Sequence, residues 1–227
     1  MALDHEPVTR TPLSPARIAG AAVALADEEG IEAITMRGVA HRLGVEAMSL
    51  YHHVRNKEAL LDAMVDVILG EITDELDRVD RPDRWKERLR SRILTARRVM
   101  LRHPWAPALI ETRTTMTPRL LLYFEDVLGT MVDGGFSYDL AHHAMHALGS
   151  RALGFNQELF VPDESAAPDT SSHVLSALSD QIPHLLGMLD EVAHDDPDST
   201  LGWCDDQTEF EFGLDLLLDG LEQRASS

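Results

Sequence analysis

One short stretch limits what this chain can fold into. From Thr35 to Lys57 it reads T-M-R-G-V-A-H-R-L-G-V-E-A-M-S-L-Y-H-H-V-R-N-K. Val39, Ala40 and Leu43 recur at helical spacing, and Gly44 follows as a residue that can adopt the left-handed conformation ending a helix. Thr35 suits the N-cap, because its hydroxyl can accept a free N–H of the first turn. Val45 is expected inside the turn. A second short helix, from Ala47 to Val54, turns Leu50 and Val54 inward at i, i+4. A helix this short cannot bury Ser49, Tyr51, His52 and His53 as well. An exposed face of small polar, aromatic and imidazole groups, flanked by Arg37, Arg42, Arg55 and Lys57, suits the DNA major groove.

The ordered pattern A-x-x-L-G-V-x-x-x-S-L-Y-x-H-V-x-N-K resembles the DNA-binding headpiece of the tetracycline-repressor (TetR) family, over roughly residues 14 to 65. A similarity of layout to the ligand-binding half continues through H-P-W at His103 and G-F-S at Gly135. The resemblance implies roles residue by residue. Tyr51 and Lys57 would contact phosphates, with Thr35 assisting. Arg37, Ala47, Met48, Ser49, His52 and His53 align with positions that reach bases or adjacent phosphates. Arg37 could make a bidentate contact to guanine. Ala47 and Met48 depart from more polar family choices and would meet thymine methyls or nothing. The plain alternative is a helical hairpin with a solvated face.

A net charge of −19 taken as a whole opposes nucleic-acid binding, so its distribution matters. Residues 1 to 60 hold 6 Lys/Arg and 8 Asp/Glu, a net of −2, and the remainder holds 14 and 31, a net of −17. Between Glu32 and Lys57 the balance turns to 4 basic against 2 acidic. An acidic body with a mildly positive patch confines DNA to the headpiece, and affinity should then need two headpieces. No apolar run approaches the ~18 residues of a membrane span. Residues 1 to 13 read as a loose arm and not as a secretion signal. The single Cys204 excludes an internal disulfide and suits the cytoplasm.

The rest of the chain reads as all-α. Ser14-Pro15 opens a first helix with Ile18, Ala21, Ala22, Leu25 and Ala26, ending at Gly30. Ile31 and Ile34 extend its small core. Asn56-Lys57 begins a connector helix to about Val79. Trp85 opens a helix to about Met100 whose many basic residues are either a solvated face paired with acidic neighbours or a second DNA contact. Pro104 and Pro107 are expected to stop it. Thr115 or Thr117 with Pro118 starts the next helix, which Gly134-Gly135 ends, and Ser137 caps another running to Phe160. Loops are expected at 161 to 172 and 194 to 199, with helices from His173 to about Pro183 and from Leu185 to Val192. Phe210 to Leu221 is apolar nearly all round, which at a chain end suggests a subunit partner. The domain reading is an arm (1–13), a helix-turn-helix domain (14–60) and an effector-binding and dimerisation domain (61–227).

Nothing in the sequence forms a catalytic constellation. There is no Gly-rich phosphate loop and no G-x-S-x-G turn, and Cys204 lacks activating positive neighbours. His142, His143 and His146 share a helix at spacings that can hold a metal, but no H-E-x-x-H pattern accompanies them. They read as a metal site, a polar pocket wall or structural histidines. No cofactor is expected.

In the family this half binds a small effector that releases DNA. The residues here that could line such a cavity are Arg92, His103, Trp105, Ile110, Arg113, Met116, Phe124, Val127, His142, Met145 and His146; the alternative for each is a closed core. The tetracycline repressor holds a drug–magnesium complex with a histidine and a threonine after the helix stop. Leu109 to Thr115 reads L-I-E-T-R-T-T here, which argues against tetracycline as ligand. Arg113, if inward, would favour an acidic or carbonyl-bearing effector. The reading is a homodimeric, ligand-responsive repressor that binds a palindromic operator and is not an enzyme. The alternatives are a metal-dependent enzyme using His142, His143 and His146, or a DNA-binding regulator without effector.

Overall fold

A computed structural model describes residues 12–154, 177–184, 186–187 and 206–226. All regular structure among them is helical. The order is α1 (Pro15–Glu29), a 3-10 turn (Ile31–Ala33), α2 (Met36–Leu43), α3 (Ala47–Tyr51), α4 (Lys57–Leu76), α5 (Trp85–Arg102), α6 (Ala106–Glu111), α7 (Pro118–Asp133), α8 (Tyr138–Gly154) and a C-terminal α9 (Asp206–Ala225). The described chain divides at Gly134 into two compact units.

Local chemistry accounts for most helix starts. Ser14, Thr35, Asn56 and Thr117 each accept, through a side-chain oxygen, the N–H of the residue three positions on. That satisfies one of the donors a helix N-terminus leaves without a partner, an effect of about 1 kcal/mol each. Gly44 sits at φ 66°, ψ 36°, the left-handed conformation that lets α2 stop and α3 leave at once. Val45 is half-buried rather than enclosed in that turn.

In the first unit a continuous apolar core runs from Ile18, Ala22 and Leu25 of α1, through Val39 and Leu50, into Leu60, Met64, Ile68 and Ile72 of α4. Ala96 and Val99 of α5 and Trp105, Ala106 and Leu109 close it. The headpiece helices thus share one core with the first part of the body, and α4 is its axis. α4 stops at Leu76, short of Val79. Pro107 does not stop a helix. It falls in the first turn of α6, where a missing N–H costs nothing.

The basic residues of α5 are largely spoken for: Arg92 pairs with Asp126, Arg98 with Glu75, and Arg102 with Glu71 and Glu75. The solvated, paired face is therefore what this helix presents.

In the second unit α8 and α9 pack together. Ala141, Ala144 and Leu148 are buried on α8, and Phe210, Leu214, Leu218 and Leu221 on α9. Ser137 accepts from Leu140 N–H at 3.1 Å, as its capping role requires. α9 is less uniformly covered than its composition suggests. One stripe is inside, while Phe212 and Leu216 on the other side are 62% and 57% exposed. The expected extension of α8 to Phe160, most of the helix from His173, all but residues 186–187 of the helix from Leu185 to Val192, both loops and Cys204 lie outside the described residues.

Candidate functional site

The short helix α3 buries one side chain fully, Leu50. That anchor sets what the rest of the helix shows. Met48 is 69% and Tyr51 45% exposed, His52 and His53 are exposed, and Ala47 and Ser49 are half-buried at the rim. Arg37 on α2 is exposed, and Lys57 is the exposed first residue of α4. An ammonium there stands beside backbone N–H groups that also attract an anion. Thr35 is exposed, but its Oγ1 already accepts from Gly38 N–H at 3.0 Å, so its first task is capping. Arg42 is removed from the set of flanking cations. Glu28 of α1 holds it through two bonds of 2.6 Å. The hydrogen bond from Arg42, with its charge, holds the Glu28 carboxyl below its ordinary pKa against an opposing effect of burial.

The residues proposed for an effector wall separate into different environments. His103 and Trp105 are buried together around one carboxylate. Asp27 Oδ1 on α1 accepts from Trp105 Nε1 at 2.7 Å and lies 2.8 Å from His103 Nδ1, while Glu71 of α4 lies 3.2 Å from His103 Nε2. This is a tie between headpiece and body more than a cavity wall. Arg113 points at α4, donating to Glu58 at 2.8 Å with Asp62 at 3.6 Å, so its charge is already matched. Ile110 packs against the core, Met116 is 53% exposed, and Phe124 and Val127 are half-buried.

Arg92 is the one that opens onto space. A cavity of about 640 Å³ lies between the C-terminal end of α4, α5 and α7. Thr73, Leu76 and Asp77 line it from α4, Arg88, Ser91 and Arg92 from α5, and Arg119, Leu122, Tyr123, Asp126 and Thr130 from α7, with Val79 to Pro82 between. That volume falls in the range of about 300–1,000 Å³ typical of small-molecule sites. Arg92 pairs with Asp126 and lies 5.2 Å above the Tyr123 ring centroid, a cation–π geometry. Burial lowers the Arg92 pKa; burial also raises that of the Tyr123 phenol, which Arg92 partly offsets. Tyr123 is therefore a neutral hydroxyl. The α7 residues in this wall were legible in principle: 119, 122, 123, 126 and 130 fall on one helical face.

His142, Met145 and His146 belong to α8 in the second unit, with both histidines exposed and Met145 half-buried. The His142 ring centroid is 4.7 Å from that of His146 and 5.7 Å from that of His143, and His143 Nε2 lies 3.9 Å from Asp139. No group of three or more His, Cys, Asp or Glu side chains among the described residues is placed to hold a metal ion. No helix among them is long and apolar enough to cross a membrane.

Comparison with known proteins agrees with this arrangement. Residues 18–64 match the model of bacterial regulatory proteins of the tetR family, and residues 80–225 that of the tetracyclin repressor-like C-terminal domain. An HTH-type transcriptional regulator of Saccharopolyspora erythraea is 36% identical over 128 residues, which is 56% of this chain and 53% of that protein. The tetracycline repressor protein class A from transposon 1721 of Escherichia coli is 30% identical over 215 residues, 94% of this chain and 93% of its own length. The structure of apo ActR from Streptomyces coelicolor superposes with a TM-score of 0.71 at 25% identity, covering 95% of this chain and 98% of that one. An exposed recognition helix anchored by one leucine, an all-helical body, and two family models that together take in most of the chain lead to one conclusion: the chain belongs to the tetracycline-repressor (TetR) family and is a DNA-binding transcriptional regulator.

Proposed function

We propose that this chain is an effector-responsive repressor that acts in the cytoplasm as a homodimer on a palindromic operator, and that a small molecule in the α4–α5–α7 cavity releases it. The observation that carries the reading is the double use of α4. Its first turns bury Leu60, Leu61 and Met64 in the headpiece core and start at Lys57, shortly after α3 in the chain. Its last turn supplies Thr73 and Leu76 to the cavity wall, and Asp77 joins them from the C-cap. A helix of this length spans about 30 Å, so a ligand that shifts one end tilts the other. Two recognition helices must sit about 34–36 Å apart to enter successive major grooves, and a tilt of a few ångströms loses one of them. The ligand acts only if it prefers one of the two arrangements.

Base contacts fall to Arg37, Ala47, Met48, Ser49, His52 and His53, and phosphate contacts to Thr35, Tyr51 and Lys57. The exposed Phe212 and Leu216 on α9 are the apolar surface that a second copy would cover, as in two-fold helical interfaces. The test is fluorescence anisotropy of genomic fragments from around the chain's own gene, followed by a screen for compounds that lower the signal. Saturable binding to one palindrome, with release by some compound, is the expected result. Binding that no compound relieves would leave a DNA-binding regulator without effector. Equal binding to every fragment would remove the operator assignment.

A further inference from the structure

The cavity wall has a charge pattern that points to a class of ligand. Four arginines face it, Arg81, Arg88, Arg92 and Arg119, against the carboxylates of Asp77, Asp80 and Asp126. Asp126 is shared by Arg92 and, at 3.4 Å, by Arg81. The Arg88 Nε donates to the Pro82 carbonyl at 2.6 Å. Asp77 and Asp80 sit beyond the last turn of α4, beside Arg81. Arg88 and Arg119 both lack a carboxylate partner among the described residues, but Arg88 is held by the Pro82 carbonyl, whereas Arg119 lies against Gly70, which is two turns, roughly 10 Å, before Asp77 on α4.

Gly70 leaves room for Arg119 there. It stands in the middle of α4, where glycine weakens a helix. A Cβ at this position would lie 2.7 Å from the Arg119 Nη1, so any other residue would push the guanidinium aside. The notch accommodates the cation against the helix at the edge of the cavity. Between the two ends the wall is apolar and aromatic: Leu76, Val79, Leu122 and the Tyr123 ring. Val79 and Leu122 are among the large apolar side chains that the chain leaves exposed, at 50% and 70%.

We infer that the cavity takes a planar aromatic molecule bearing one anionic group, with the ring system on Leu76, Leu122 and Tyr123 and the anion on Arg119 in its Gly70 notch. This rests on the cavity being the effector site and names the chemistry it selects. A matched pair of dyes tests it: anionic 8-anilinonaphthalene-1-sulfonate and its uncharged counterpart N-phenyl-1-naphthylamine, titrated by fluorescence into the full-length chain. The sulfonate should bind at least about tenfold more tightly than the neutral amine. Arg119→Gln should reduce sulfonate affinity about tenfold and leave the amine unchanged, which also shows that the cavity survives. Leu122→Glu should weaken both dyes, and Arg98→Gln, outside this wall, neither. Equal binding of the two dyes overturns the anion assignment while leaving an aromatic effector cavity. The same holds if Arg119→Gln spares the sulfonate, or if Arg98→Gln weakens it as much. If neither dye binds, the inference falls together with the effector reading of the cavity.

Discussion

Replacing Asp27 by alanine removes a polar tie between headpiece and body, and the structure sets the size of the effect. Asp27 Oδ1 accepts the Trp105 indole N–H at 2.7 Å and faces His103 Nδ1 at 2.8 Å. Trp105 and His103 are only 8% and 7% exposed, so neither nitrogen can turn to water when the carboxylate is gone. A buried donor left unsatisfied costs about 1–3 kcal/mol. Two of them, less the hydration recovered by removing the 30% exposed carboxylate, give a loss of about 2–4 kcal/mol. That is a large part of the ~5–15 kcal/mol that holds a typical domain together. Asp27→Asn keeps an oxygen for the indole and should cost only about 1 kcal/mol. Trp105→Phe removes one of the two donors, so the double variant with Asp27→Ala should lose at least about 1 kcal/mol less than the sum of the two single losses. Urea unfolding followed by tryptophan fluorescence and far-ultraviolet circular dichroism measures this. At a slope of about 2 kcal/mol/M, the Asp27→Ala midpoint should fall by about 1–2 M. A midpoint within experimental error of the parent, or strictly additive losses, would refute the tie as a stabilising contact.

Three further outcomes are expected. Tyr51→Ala or Lys57→Ala should weaken DNA binding alike on every sequence, whereas Arg37→Ala or Ser49→Ala should change sequence preference by about 1–3 kcal/mol at one position; titration at fixed salt against operator variants distinguishes them. Leu216→Arg, on the exposed side of α9, should leave helix content unchanged and convert a dimer to monomers in light scattering; a dimer that persists moves the interface elsewhere. Glu75 contributes to the acid limb of stability. Burial raises its pKa, but Arg102 and Arg98 outweigh that and hold it below its ordinary 4.5. A carboxyl depressed in the folded state contributes stability above its unfolded pKa and loses it as pH falls through the folded one. Between pH 5 and 2 the parent should therefore lose stability faster than Glu75→Gln, and parallel unfolding curves would rule this out.

Much of this molecule is written in local chemistry. Thr35, Ser14 and Asn56 cap helices, and Gly44 turns the chain, because each acts on backbone groups within a few residues of itself. The spacing of Val39, Ala40, Leu50 and Val54 decides which side of a short helix is buried, and so which residues face DNA. Those effects need no knowledge of distant segments, and the headpiece was legible for that reason. The cavity was not. Arg92 was visible as a candidate, but Arg113, equally basic and nearby, is consumed by Glu58 and Asp62 on α4. Arg42 is likewise consumed by Glu28, fourteen residues away. His103 and Trp105 read as a pocket wall, and packing turned them toward Asp27 on α1. Charges and donors of one kind are interchangeable in sequence. Only the tertiary arrangement decides which are paired across helices, and so that Arg119, lying against Gly70, faces the cavity with no carboxylate partner among the described residues.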